Sequence, residues 1–260
     1  MTTRSVAARF GGLILGLIAV VPLLVLAVWS VSGGWLWPDL LPRAWTLRAW
    51  RYAASPLSGV PQSLAESLLI ALIVAALALL LSVPAARAIA LHSFRGKQAV
   101  LFVLLLPVLA PPVASAMGVH SLFIRLGLEE TVWGVILVHL IPAVPYSTLM
   151  MTGSFSRFEQ DQEAVARTLG ASTRDVWRHV TLPALAPGIA VSAAFAFLVS
   201  WSQYLLTLLT GGGQVRTLPL SLAAFQRSGD DAMAAALALL YLAPAVFLFL
   251  AVSRFLRADA

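Results

Sequence analysis

The chain has 260 residues, 60% of them hydrophobic and 11% charged, with a formal net charge of +6. A soluble domain carries about a quarter charged residues, so this composition, with a mean hydropathy of +0.91, excludes a water-soluble fold and makes lipid the solvent. There is no cysteine, which removes disulfides, a thiolate nucleophile and any Cys-based metal site.

Six apolar stretches approach the roughly 20 residues that a membrane-crossing helix needs. They are 11–31, 67–86, 99–124, 131–155, 188–209 and 232–253, and none holds Asp, Glu, Lys or Arg. Alternating ten-residue strands are absent, so the expectation is helices and not a barrel. The first stretch follows MTTRSVAARF. It is longer than a signal-peptide core and reads as an uncleaved first span. The connection that follows carries Trp35, Trp37, Trp45 and Trp50 among Pro38, Pro42, Pro56 and Pro61. Tryptophan favours the membrane–water interface. This loop therefore reads as an interfacial anchor, with a contact surface for an extracytoplasmic partner as the sharper alternative.

Prolines then enter the spans: Pro107, Pro111 and Pro112 in the third, Pro142 and Pro145 in the fourth. Each removes a backbone donor, and in lipid the freed carbonyls need partners from neighbours or water. Such kinks fit helices packed inside a bundle or bent beside a translocation path. Orientation follows from the basic residues. A cytoplasmic N-terminus puts eleven Lys and Arg inside and six outside: Arg43, Arg48, Arg51, Arg125, Arg216 and Arg227. The positive-inside rule then places both termini in the cytoplasm.

Between the fourth and fifth spans lies the most polar passage, EAVARTLGASTRDVWRHVTLPALAPGI, from Glu163 to Ile189. Residues 161–169 are good helix formers. Gly170 can take the left-handed conformation that ends a helix. Ser172 is an N-cap candidate with Asp175 three positions on, as in a capping box. Val176 and Val180 share one face of the second helix, and Leu182-Pro183 is expected to stop it. The pattern predicts two short helices around a Gly–Ala hinge. Taken alone, this is either an ordinary amphipathic loop or a docking surface.

The same passage resembles the EAA loop of binding-protein-dependent ABC importer permeases. Glu163-Ala164, Gly170, Leu182-Pro183 and Pro187 match that pattern, and Val165 departs from its second Ala. FLVSWSQYLLTLLTGGGQVRTLPL and the Pro-rich third span are similar to the polyamine, thiamine and ferric-iron subgroup. The resemblance implies an all-α membrane protein: residues 1–260 form one permease domain of six transmembrane helices, with a cytoplasmic coupling loop at 157–187. It implies that Glu163, Ala164, Gly170, Ala171, Leu182 and Pro183 couple the chain to an ATPase, with Glu163 pairing with or capping groups of that partner. The implied partners are a cytoplasmic ABC ATPase dimer, a second permease subunit and an extracytoplasmic substrate-binding protein. The implied location is a bacterial inner membrane.

Chemistry of the chain's own is missing from the sequence. No G-x-x-x-x-G-K-[ST] occurs, so ATP would be used by the partner and no cofactor is expected on this chain. GGGQVRT, at 211–217, lacks the phosphate-binding Lys. No H-E-x-x-H or G-x-S-x-G appears, which leaves His120, His139, Ser115 and Ser121 without a hydrolase motif. The chain is therefore expected to be neither an enzyme nor a metal protein. Self-powered carriers commonly hold ionised groups at the midplane, and the spans hold none. A secondary carrier and a non-transporting scaffold remain the alternatives. For the solute path, the most polar intramembrane group is Ser200, Trp201, Gln203 and Tyr204, which either line the path or bridge helices.

Overall fold

The computed structural model describes residue 18 and residues 20–35 and 38–258. The expected first span at 11–31 falls partly outside them, as does Trp37. The described residues divide into two compact units, each made of two separated segments.

The first unit joins Met1–Ala65 with Thr217–Ala245. Helix α1 covers Val20–Ser30. An isolated antiparallel bridge between Ser32 and Trp45 closes the loop behind it. The short helix α2, Arg48–Ala54, and a 3-10 turn, Pro56–Ser58, lead into α3, Val60–Leu91. From the second segment come α11, Leu218–Ser228, and the start of α12, Asp231–Ala258. The loop tryptophans are used unevenly. Trp50 Nε1 donates to Ser30 Oγ at 3.1 Å, and Trp35 Nε1 to the Asp39 carbonyl at 2.9 Å. Trp45 is 62% exposed. Asp230 accepts the backbone N–H of Met233 at 3.1 Å, which caps α12. The same carboxylate receives Arg48 Nη2 at 2.7 and 2.9 Å.

The second unit joins Glu66–Arg216 with Val246–Ala260. Its helices are α4 (Lys97–Leu109), α5 (Pro112–Leu126), α6 (Val132–Phe155), α7 (Gln160–Thr168), α8 (Thr173–Val176), α9 (Leu182–Trp201) and α10 (Leu205–Thr210), with most of α3 and the end of α12. Helix α6 packs along α9. Close approach is built in by glycine: a Cβ on Gly188 of α9 would run into the Ser154 hydroxyl of α6. Ser147 and Ser192 hydrogen-bond across the same seam at 2.9 Å. His139 is buried beyond them, with Nδ1 2.9 Å from Ser200 Oγ and Nε2 2.9 Å from Thr207 Oγ1. In lipid, small residues and hydroxyl pairs of this kind take over the role that hydrophobic burial has in water.

The third stretch is bent, as its prolines led one to expect: α4 and α5 meet at 100°. The Pro111-Pro112 doublet is the cause. A residue before proline is pushed out of the helical region, and Ala110 and Pro111 have ψ of 145° and 125°. Pro142 and Pro145, which lie apart, leave α6 continuous over 24 residues. One sequence expectation is overturned: Leu182-Pro183 does not stop the second hairpin helix. A π turn at Trp177–Thr181 carries α8 into α9, with the Leu182 N–H donating to the Trp177 carbonyl five residues back. The widened turn absorbs the missing N–H of Pro183. Among the described residues, four helices are long and apolar enough to cross a membrane, or five if the bent pair counts as one.

Candidate functional site

The hairpin is built from local chemistry. Helix α7 ends in a Schellman arrangement: Gly170 N–H donates to the Arg167 carbonyl at 3.0 Å and Ala171 N–H to the Ala166 carbonyl at 3.1 Å. Gly170 sits at φ +89°, the left-handed region where a side chain is strained. Ser172 then caps α8, with the reciprocal Ser172–Asp175 capping box complete. These bonds hold the Asp175 carboxyl below the usual carboxylate range. Around the turn, Val165 and Leu169 are 57% and 82% exposed, and Ala164 is exposed beside them. Leu182 lies at the root, 43% exposed.

The other face of α7 is fastened down. Arg87, on the last turns of α3, donates Nη1 and Nη2 to the two carboxylate oxygens of Glu163 at 2.8 and 2.6 Å. Thr181, in the π turn, donates its hydroxyl to Glu163 Oε1 at 2.6 Å. The guanidinium lies over the Trp177 ring at 5.0 Å and the Phe155 ring at 5.9 Å. Beneath these groups Ala86, Met151, Phe155 and Leu185 form a buried cluster. The Arg87 hydrogen bonds hold the Glu163 carboxyl below its ordinary range; burial opposes them and Thr181 assists. Both oxygens of Glu163 are thus occupied within the chain. The resemblance implied a contact between this carboxylate and a partner; within the chain its contacts are with Arg87 and Thr181. Arg87 itself was missed by sequence reasoning, because 76 residues separate the pair.

A cavity of about 390 Å³ opens at the α4–α5 bend. Its lining includes Ser115, Tyr146, Ser202 and Gln203 among apolar residues such as Pro107 and Phe195. Of the four residues expected on a solute path, Gln203 is on this wall. Ser200 is buried against His139. Trp201 is 3% exposed and stacked on Phe197, with ring centroids 5.7 Å apart. Tyr204 is half-buried beyond the end of α9. The signal for this split was in the spacing: Ala196, Phe197, Ser200 and Trp201 fall on one helical face, all buried. Among the described residues, no three of His, Asp and Glu stand close enough to hold a metal ion.

Apolar helices, one pair of them bent at a proline doublet, and a braced polar hairpin are the features of an integral membrane protein with a docking loop. Comparison with known proteins makes this specific. The chain belongs to the family described as binding-protein-dependent transport system inner membrane component, whose model matches residues 78–258. It is therefore a permease subunit of an ABC importer, a transport component and not an enzyme. It is 34% identical over 191 residues to the molybdenum transport system permease protein ModB of Mycobacterium tuberculosis, covering 68% of this chain and 72% of that one. It is 27% identical over 168 residues to the spermidine/putrescine transport system permease protein PotC of Haemophilus influenzae, covering 65% of each. A chain of a bacterial ABC transporter involved in the import of the acidic polysaccharide alginate shares the fold, with a TM-score of 0.75 and 17% identity, covering 98% of this chain and 99% of that one.

Proposed function

We propose that residues 157–187 are the coupling loop of this permease, seated on a cytoplasmic ABC ATPase that binds and hydrolyses the ATP. The observation that carries this reading is the two-sided hairpin. One side presents Ala164, Val165, Leu169 and the open turn at Gly170. The other is tied to α3 and to the root of α9 through Glu163. In this reading Gly170 and Ala171 shape the docking turn, Leu182 and Pro183 form the root, and Glu163 positions the loop. The chain crosses a bacterial inner membrane six times with both termini in the cytoplasm. It pairs with a second permease, identical or similar, and receives solute from an extracytoplasmic binding protein. The cavity at the α4–α5 bend, with Gln203 and Ser202 on its wall, is a stretch of the solute path. Ser200, Trp201 and Tyr204 act behind that wall by packing. The relatives carry names as different as molybdenum and polyamines, so the solute does not follow from membership.

Substituting Gly170 tests the coupling loop. Nothing lies within 4 Å of a Cβ built there, so Gly170→Val meets no clash inside the chain. It forces a β-branched residue to positive φ at about 1–3 kcal/mol and reshapes the exposed turn. The variant is expected to insert and stay monodisperse, yet to recover little ATPase on co-purification and to import poorly in proteoliposomes. Full ATPase recovery with normal import rules the loop out as the coupling element. Orientation is read separately, with single cysteines in this cysteine-free chain. Positions Ser93 and Ser172 are expected to be shielded from an impermeant thiol reagent in intact cells, and Ser228 to react.

A further inference from the structure

We propose that Arg87 is a positioning residue for transport, the strut through which movement of the hairpin becomes movement of the spanning helices. The proposal rests on the coupling-loop reading above. One carboxylate, that of Glu163, is the meeting point of three elements. It belongs to α7, takes both terminal nitrogens of Arg87 from α3, and takes the Thr181 hydroxyl from the π turn at the root of α9.

The geometry is that of a rigid joint. A guanidinium binding a carboxylate through two parallel N–H bonds fixes orientation as well as distance. Here its plane is also held over Trp177 and Phe155, so Arg87 contacts the hairpin and the end of α6 together. The side chains of Arg87 and Glu163 are 22% and 9% exposed, and water screens such a pair little.

The π turn explains why a joint is needed here. Between α8 and α9 the chain has a widened, five-residue turn at Trp177–Thr181, a local departure from the α-helical ladder of the kind found at bends. A push on α8 could be lost by flexing at this turn. The Thr181–Glu163 bond joins the end of the turn back to α7, and Arg87 anchors that bond to α3. With the turn pinned, Thr173–Trp201 runs as one element of 29 residues, about 43 Å at 1.5 Å per residue. Its far end meets the cavity wall at Ser202 and Gln203. Arg87 thus touches neither the exposed docking face nor the cavity, but it stands on the mechanical route between them.

The test uses the full chain reconstituted with its ATPase and reads the two ends separately. Single cysteines at Ser172 on the hairpin and at Ser202 on the cavity wall carry spin labels. The probe is ATP with vanadate, so no solute is needed. In the parent chain both labels are expected to respond. Arg87→Met alone leaves Glu163 buried without its partner, so the decisive variant is Arg87→Met with Glu163→Gln, which removes both charges. In it the Ser172 response is expected to persist while the Ser202 response falls at least about fivefold, the scale of an ordinary coupling between sites. Arg87→Lys keeps the charge but not the fork, and an intermediate Ser202 response is expected. A purely structural pair predicts something else, namely parallel loss or retention at the two labels. A Ser202 response of full size in the double variant overturns the strut. Should that variant fail to assemble, a full response in Arg87→Lys overturns it. A hairpin label silent in the parent chain overturns the coupling-loop reading itself, and the strut with it.

Discussion

Two of the arginine–carboxylate pairs among the described residues join segments far apart in sequence and sit in different surroundings. Arg48–Asp230, in the first unit, has its closest contact at 2.7 Å and side chains 57% and 28% exposed. Arg87–Glu163, in the second, has its closest contact at 2.6 Å and side chains 22% and 9% exposed. Distance does not separate them; what surrounds them does. The Arg48 guanidinium is free on its solvent side, and Asp230 owes part of its order to capping α12. Arg87 is closed in by two aromatic rings and its partner by a threonine. The first pair adds little to stability because water competes for both partners. The second is expensive to break, since either partner left alone is an uncompensated buried charge.

The sharpest way to break the comparison is to remove one partner from each pair. Arg87→Met is expected to destabilise the protein by about 3–5 kcal/mol, read as thermal unfolding in detergent micelles. Adding Glu163→Gln to it is expected to restore a large part of the loss. The next effect is local. Ser172→Ala removes a helix cap that depends on no distant residue, and about 1 kcal/mol is expected. Arg48→Ala stands last, at about 0.2–1 kcal/mol, and its loss is expected to shrink further at high salt. A larger loss for Arg48→Ala than for Arg87→Met inverts the comparison and removes burial as its explanation.

Acid sharpens it. The Glu163 and Asp230 carboxyls are both held below the usual range, in each case chiefly by the arginine hydrogen bond. A depressed folded value means stability that is present above the unfolded carboxylate value of about 4 and is lost as pH falls through the folded one. Unfolding temperatures taken from neutral pH downward are expected to hold until that region and then drop. Glu163→Gln is expected to flatten the drop more than Asp230→Asn does, and equal flattening by the two counts against a special role for the buried pair.

What the sequence disclosed follows the range of the interactions. The hairpin turn was legible because its determinants act over three to five residues: Gly170 at positive φ, the Ser172–Asp175 box, and Arg167 and Ala166 accepting from the turn. The six apolar stretches were legible as composition, and membership of the permease family followed from the EAA-like loop. The Arg87–Glu163 joint was not legible, because nothing local marks a residue at the end of one span as the partner of a loop 76 positions later. Leu182-Pro183 was misread because proline in a first turn, after a widened one, begins a helix as readily as it ends one. For Ser200 and Trp201 polarity alone leaves path-lining and helix-bridging both open, and the buried face they share with Ala196 and Phe197 has a helical period.

The bend between α4 and α5 leaves main-chain acceptors without their helical donors. In an α-helix the carbonyls of Pro107 and Val108 would be met by the N–H groups four residues on. Those residues are Pro111 and Pro112, which have no N–H. Two strong acceptors thus lack their usual donors, on residues that line the 390 Å³ cavity. Hydrocarbon cannot satisfy them, and water or a hydrogen-bonding guest can. The doublet therefore leaves main-chain acceptors on residues of a wall whose polar side chains are Ser115, Tyr146, Ser202 and Gln203. It does so in every conformation of the bend, because proline has no proton to give back.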